Sequence, residues 1–188
     1  GASLFVGSGG ALSGDRSSVV TTGAVGFSVS GASFALATVS KGSTSFSGLE
    51  ASLSNAALLG VSGVDLQVSG TVKLNKTSVL NGPRIDWATA TNATNDPGNL
   101  IPVLSATSAQ ELRASGSGSV NIGGAVVAVV GGLTLDIATA SVVTGNAAIT
   151  GLGTVAGTID DAKIVSFGIS GASLFVGSGG ALSGDRSS

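Results

Sequence analysis

Residues 1 to 18, GASLFVGSGGALSGDRSS, return without one substitution as residues 171 to 188. A fold with two unrelated surfaces at its ends has no reason to carry the same eighteen residues twice. The period of 170 is therefore the structural unit, and self-similarity of this kind marks a repeat architecture. Residues 1–170 are expected to be one complete tandem repeat and residues 171–188 the start of the next, identical one. The chain shows neither an initiator Met nor a signal sequence, which fits an internal or processed segment of a longer array.

Within the repeat the strongest local signal is alternation. From Val64 to Leu74 every even position is apolar or glycine and every odd one is polar, the pattern of a half-buried strand. Leu112, Ala114, Gly116, Gly118, Val120 and Ile122 repeat it, as do Phe27, Val29 and Gly31, and later Phe167, Ile169 and Gly171. Helical spacing never competes, and an all-β fold follows, with the alternating faces of 64–74 and 112–122 expected to be buried. Glycine at so many inward positions would let two sheet layers approach closely. Turns are expected at Lys41-Gly42, Asn75-Lys76, Asn81-Gly82-Pro83, Gly131-Gly132, Gly145-Asn146 and Asp160-Asp161. The apolar phase switches at Gly131-Gly132, as a chain reversal would make it do. Residues 89 to 106 read as an external loop. A shorter echo links VSGASFALATV at 29–39 with ISGASLFVGSG at 169–179.

Two architectures satisfy this pattern: an elongated β-solenoid or rolled β-sheet stacked end to end, or a string of β-sandwich domains. A sandwich string wants a polar linker, yet the seam from Lys163 to Gly180, KIVSFGISGASLFVGSGG, is among the most apolar tracts in the chain. The solenoid or rolled sheet is therefore preferred, with Phe167, Ile169, Leu174, Val176, Leu4 and Val6 as the residues of the repeat junction, the seam being expected to be buried.

Composition closes off other classes. Charged residues are 10% of the chain, against about 25% in a typical soluble domain, and the net charge is −2 with no basic cluster. Nucleic acid is not an expected partner. The longest apolar run, residues 125–130, is far short of the roughly 18 residues a spanning helix needs. A membrane barrel would need aromatic girdles, and the chain has one Trp and no Tyr, so membrane insertion is not expected. His, Cys, Met and Tyr are all absent, which removes most nucleophiles and general bases. A carboxylate pair can hydrolyse glycosides, but six Phe and one Trp are too few to line a sugar cleft. No enzyme, no catalytic residue and no cofactor is expected.

The runs SGASFALATV, LEASLSNAALLGVSGVDLQVSGTVKLNK, IDWATATN and ELRASGSGSVNI resemble the long tandem β-repeats of very large bacterial secreted or cell-surface proteins of adhesin-like type. The resemblance covers most of residues 29–122. It implies an extracellular or cell-surface location, a structural or adhesive role, and no catalytic residues. Many such proteins carry calcium nonapeptides, but Gly9-Gly10-Ala11-Leu12-Ser13-Gly14-Asp15 has the wrong spacing for one.

The remaining candidates each have a plainer alternative. Asp160 and Asp161, and Asp96 with Asn92 and Asn99, offer oxygen ligands to a hard cation, though adjacent acids and Asn-rich loops ordinarily serve turns. Trp87, beside Arg84 and Asp86, could stack on a sugar, but it shares a face with Ile85 and reads better as a core anchor. Asn75-Lys76-Thr77 and Asn92-Ala93-Thr94 match the glycosylation sequon, which an Asn- and Thr-rich chain meets by chance. The expected function is a non-catalytic structural repeat of an extracellular bacterial fibre, assembling with identical neighbouring repeats. The alternative is a module of a giant adhesin that contacts glycans or other cells.

Overall fold

The computed structural model describes residues 1–92, 94–96 and 98–183. The chain is all-β, as the alternation requires, and the main sheet is an antiparallel meander. Seven strands follow one another across it: β1 (Ala2–Ser8), β4 (Val25–Lys41), β5 (Thr44–Leu59), β6 (Val64–Thr77), β7 (Gln110–Ile122), β8 (Val126–Val143) and β9 (Thr158–Val176). A small hairpin of β2 (Ala11–Leu12) and β3 (Val19–Val20) lies between β1 and β4. Among the described residues the sheet closes into neither a barrel nor a solenoid coil.

Successive strands pair because their connections are short. Gly42, at φ +60, turns β4 into β5 where Lys41 pairs Thr44, a conformation that costs glycine nothing. The two segments with the clearest alternation prove to be neighbours: Val64 pairs Ile122 and Leu74 pairs Leu112, with no shift between. Opposed residues share a face of the sheet, so the registers sort the side chains. One row runs Leu36, Leu49, Leu74, Leu112, Ile137, Val165, and the next Phe34, Ala51, Val72, Ala114, Leu135, Phe167. On the opposite face the row Ala35, Glu50, Lys73, Arg113, Asp136, Ser166 carries the ion pairs Lys73–Glu50 at 3.7 Å and Arg113–Asp136 at 3.6 Å.

The closed core lies on the polar face, under the connection from β6 to β7. The short helix α1 (Trp87–Ala90) is started by Asp86, whose Oδ1 accepts from the Thr89 N–H at 3.0 Å, which supplies a partner for one of the helix's orphan donors. It presses Trp87, fully buried, onto the sheet together with Ala37, Leu104 and Ala106. Trp87 Nε1 donates to Asn75 Oδ1 at 2.9 Å, and Asn75 Nδ2 donates to the carbonyls of Ile85 and Thr107 at 2.8 and 2.9 Å. Thus the residues that flank the segment expected to be an external loop are stapled to β6 through one buried amide, and Leu104 and Ala106 within that segment are buried. Gly48 makes the contact possible, because a Cβ there would lie 2.6 Å from Trp87 Cε2 and 2.9 Å from Leu104 Cδ1. Gly48→Ala is expected to cost about 1–3 kcal/mol by overpacking, seen as a lowered midpoint in urea.

Three expectations are corrected. The alternating faces of β6 and β7 are not buried by a second layer: Val68, Val72 and Ile122 remain 40, 41 and 48% exposed. The inward glycines meet each other across the ladder, Gly70 opposite Gly116, and among the described residues no second layer approaches them. Gly131-Gly132 and Asp160-Asp161 do not turn the chain, and Asn75-Lys76 lies inside β6. Gly131 sits at a bulge in β8, where Leu133 pairs Gly116 and Val130 pairs Gly118. An inserted residue shifts the apolar phase just as a corner would. The cost of a single layer is visible in area. A compact chain of 17.8 kDa exposes about 8,000 Å², whereas this one exposes 11060 Å².

Candidate functional site

The surface that stands out is the pair of sheet edges. β1 and β9 are the outermost strands, and each holds one copy of the same sequence: GASLFV at residues 1–6 and at 171–176. The first copy pairs with β4, Ala2 opposite Ala32 and Ser8 opposite Val25. The second pairs with β8, Ala172 opposite Val130 and Val176 opposite Val126. Their local conformations agree as well. Gly9 and Gly179 have φ +80 and +78, and Phe5 and Phe175 lie close over Gly10 and Gly180 respectively.

One sequence is therefore held by a strand on one side in one copy and on the other side in the other. The Gly177 N–H donates to the Ala125 carbonyl at 2.9 Å, so the alternate residues Leu174 and Val176 turn their backbone groups away from β8. Unpaired groups along an edge are a template for another strand. The expected junction residues sit on these edges: Leu4 and Val6 on β1 are 57 and 63% exposed, and Phe167 and Ile169 on β9 are 64 and 54% exposed. Leu174 and Val176 are exposed too. The residues on β1 and those on β9 lie at opposite edges of one sheet.

Sequence reasoning missed the third part of this surface. β4 has 17 residues and β1 only 7, so among the described residues β4 has no outer partner beyond Ala32. The overhang carries Phe34, Leu36 and Val39, 67, 52 and 39% exposed. The signal was present in the echo of Ser30-Gly31-Ala32-Ser33 in Ser170-Gly171-Ala172-Ser173. Gly31 and Gly171 share the left-handed conformation, φ +64 and +58.

The candidate ligand and sugar residues have local work. Asp96 is buried and accepts from the N–H groups of Leu100 and Ile101 at 3.1 and 2.8 Å. Asn92 Oδ1 accepts from the N–H groups of Thr94 and Asn95, and Asn99 has φ +49. Asp160 and Asp161 form a bulge in β9 opposite Ser141, where Ala140 pairs Ala162 and Val142 pairs Ile159. The Thr154 N–H, donating to Asp160 Oδ2 at 2.7 Å, holds that carboxyl below its usual range. Among the described residues no three His, Cys, Asp or Glu gather to hold a metal. Trp87 is out of reach of a sugar, and Arg84 pairs with Glu111 at 3.0 Å, which also meets Lys163 at 3.6 Å. Asn75 is buried and fully bonded, while Ala93 of the second sequon lies outside the described residues.

Asp15, in the turn between β2 and β3, is held at about 2 by the Ser13 hydroxyl, then by the N–H and hydroxyl of Ser17. A depressed folded value stabilises the turn above the unfolded carboxyl value near 3.8, and this contribution is lost as pH falls toward 2. The amide resonances of Ser17 and Ser18 are expected to shift over that window, ahead of those of β6 and β7. No protein-family model matches the chain, and no curated protein and no solved structure matches it.

Proposed function

We propose that the chain is a non-catalytic structural repeat of an extracellular fibre, a rolled β-sheet whose tandem units of 170 residues continue one another edge to edge. The observation that carries this is the duplicated segment: one sequence sits at both edges of one sheet and uses a different side in each. A head-to-tail contact that does not close makes a filament. The excess exposed area fits a unit that keeps part of its burial for its neighbours. The resemblance to giant bacterial surface proteins supports the extracellular setting.

The test is assembly. Sedimentation over a wide concentration range, with electron microscopy of the heaviest fraction, is expected to show growth into filaments one unit wide. Chelator is expected to leave them intact, since strand pairing and apolar contact need no ion. Filaments that dissolve in chelator and return only with calcium would give Asp160, Asp161 or Asp96 the ligand role. Monomers at every concentration, together with independent beads in a fused chain of two units, would overturn the fibre.

A further inference from the structure

We infer that the free overhang of β4, Ser33 to Lys41, is the seat for residues 162–170 of β9 from a second copy of this unit, in one defined register. This deepens the fibre reading above and rests on it. β1 holds Ala2–Val6 against β4, and the same residues end β9 as Ala172–Val176. Superposing the second copy of the segment on the first carries the rest of β9 along the outer side of β4. The length suffices: nine residues of β4 lie beyond Ala32, and thirteen residues of β9, Thr158 to Ser170, precede Gly171.

The register follows from faces. β6 and β7 are regular, so Gly116 and Gly118 share a face, and their partners extend it: Leu133 to Ile169, and Val130 to Ala172. Ile169 and Ala172, three residues apart, therefore share a face, which requires one extra residue between them. Likewise Leu53 leads from Gly70 to Ala32, and Ala56 leads from Val68 to Val29, so β4 carries one extra residue between Val29 and Ala32. Glycine in the left-handed region, Gly171 in one strand and Gly31 in the other, marks each bulge. The two insertions cancel. Pairs that begin as Leu174 with Val29 and Ala172 with Ala32 continue as Ile169 with Phe34, Phe167 with Leu36 and Val165 with Thr38.

On the other face the pairs become Gly168 with Ala35, Ser166 with Ala37 and Ile164 with Val39. The large side chains on the exposed overhang and on β9 thus meet each other, and none meets a charge. A sheet made this way runs unbroken from unit to unit, with β9 and the next β1 as one strand. In a tandem array that strand is covalent. Between separate chains the incoming β9 displaces β1, which is its shorter duplicate.

The chain has no cysteine, so single introduced thiols report the register. Leu36→Cys and Phe167→Cys, both at exposed positions, are mixed under mild oxidation. The same pair is also placed across the junction of a fused two-unit chain, Phe167→Cys in the first unit and Leu36→Cys in the second, where no displacement of β1 is needed. About tenfold more disulfide is expected for this pair than for Leu36→Cys with Ser166→Cys, whose side chain leaves by the opposite face. Preference for Leu36→Cys with Ile169→Cys, or equal yields from all pairs in chains that do assemble, would overturn the register and leave the fibre standing. Monomers with no cross-link, and a fused chain with none, would overturn both.

Discussion

Trp87→Ala is expected to destabilise the chain by about 3–5 kcal/mol, the range for removing a large aromatic from a closed core. Its indole is the centre of the cluster with Ala37, Leu104 and Ala106. Its removal also leaves Asn75 Oδ1, already away from water, without the Nε1 donor, and an unpaired buried acceptor adds about 1–3 kcal/mol. A domain of this size holds only about 5–15 kcal/mol in total, so this loss should be a large share of what keeps the whole sheet folded. Urea unfolding followed by far-ultraviolet circular dichroism measures the loss. The parent's fluorescence gives a second check, because Trp87 is the single Trp and there is no Tyr: its emission should be blue-shifted when folded. A loss below about 1 kcal/mol would show that the cap is an ornament on an otherwise self-sufficient sheet.

Ile169→Asp is expected to separate folding from assembly. Within one unit Ile169 stands on an edge strand and is 54% exposed, so the melting curve of the single chain should barely move. At the junction the same side chain would lie beside Phe34, where an unpaired carboxylate loses its water. A penalty of about 3 kcal/mol or more raises the concentration needed for assembly by about a hundredfold or more. Sedimentation of parent and variant side by side measures it. Equal assembly would place Ile169 outside the contact, and a collapse in the melting temperature of the single unit would mean that β9 contributes to the unit's own core.

The period-two pattern made β6 and β7 legible because their faces differ in polarity at every step, and regular strands keep that phase. What covers an apolar face is not written in its alternation. A row such as Leu49, Leu74 and Leu112 looks the same whether a second sheet lies over it or nothing does, and here the described chain leaves it half exposed. Bulges were misread as turns for a related reason: Gly131-Gly132 and Asp160-Asp161 carry the residues of a reversal and also shift the phase, and the sequence does not say whether the strand goes on. Asn75 looked like a turn residue and is the buried amide that fixes Trp87. Its role depends on a partner twelve residues away, beyond any local pattern. The junction residues were legible as apolar and duplicated. The overhang of β4 was hidden because its length is measured only against the strand beside it.

The order of strands also fixes how the molecule answers a pull. Its first and last strands lie at opposite edges, so tension between the ends acts across the ladder and parts the strands one at a time, a few backbone bonds under load at once. Such peeling yields at lower force than sliding strands past each other, but each step releases a long length of chain. Six strand spacings cover about 29 Å, while 170 residues drawn straight reach about 570 Å. A thread of these units would lengthen nearly twentyfold before its backbone took the strain, and it would re-form by local hairpin closure when slack returned.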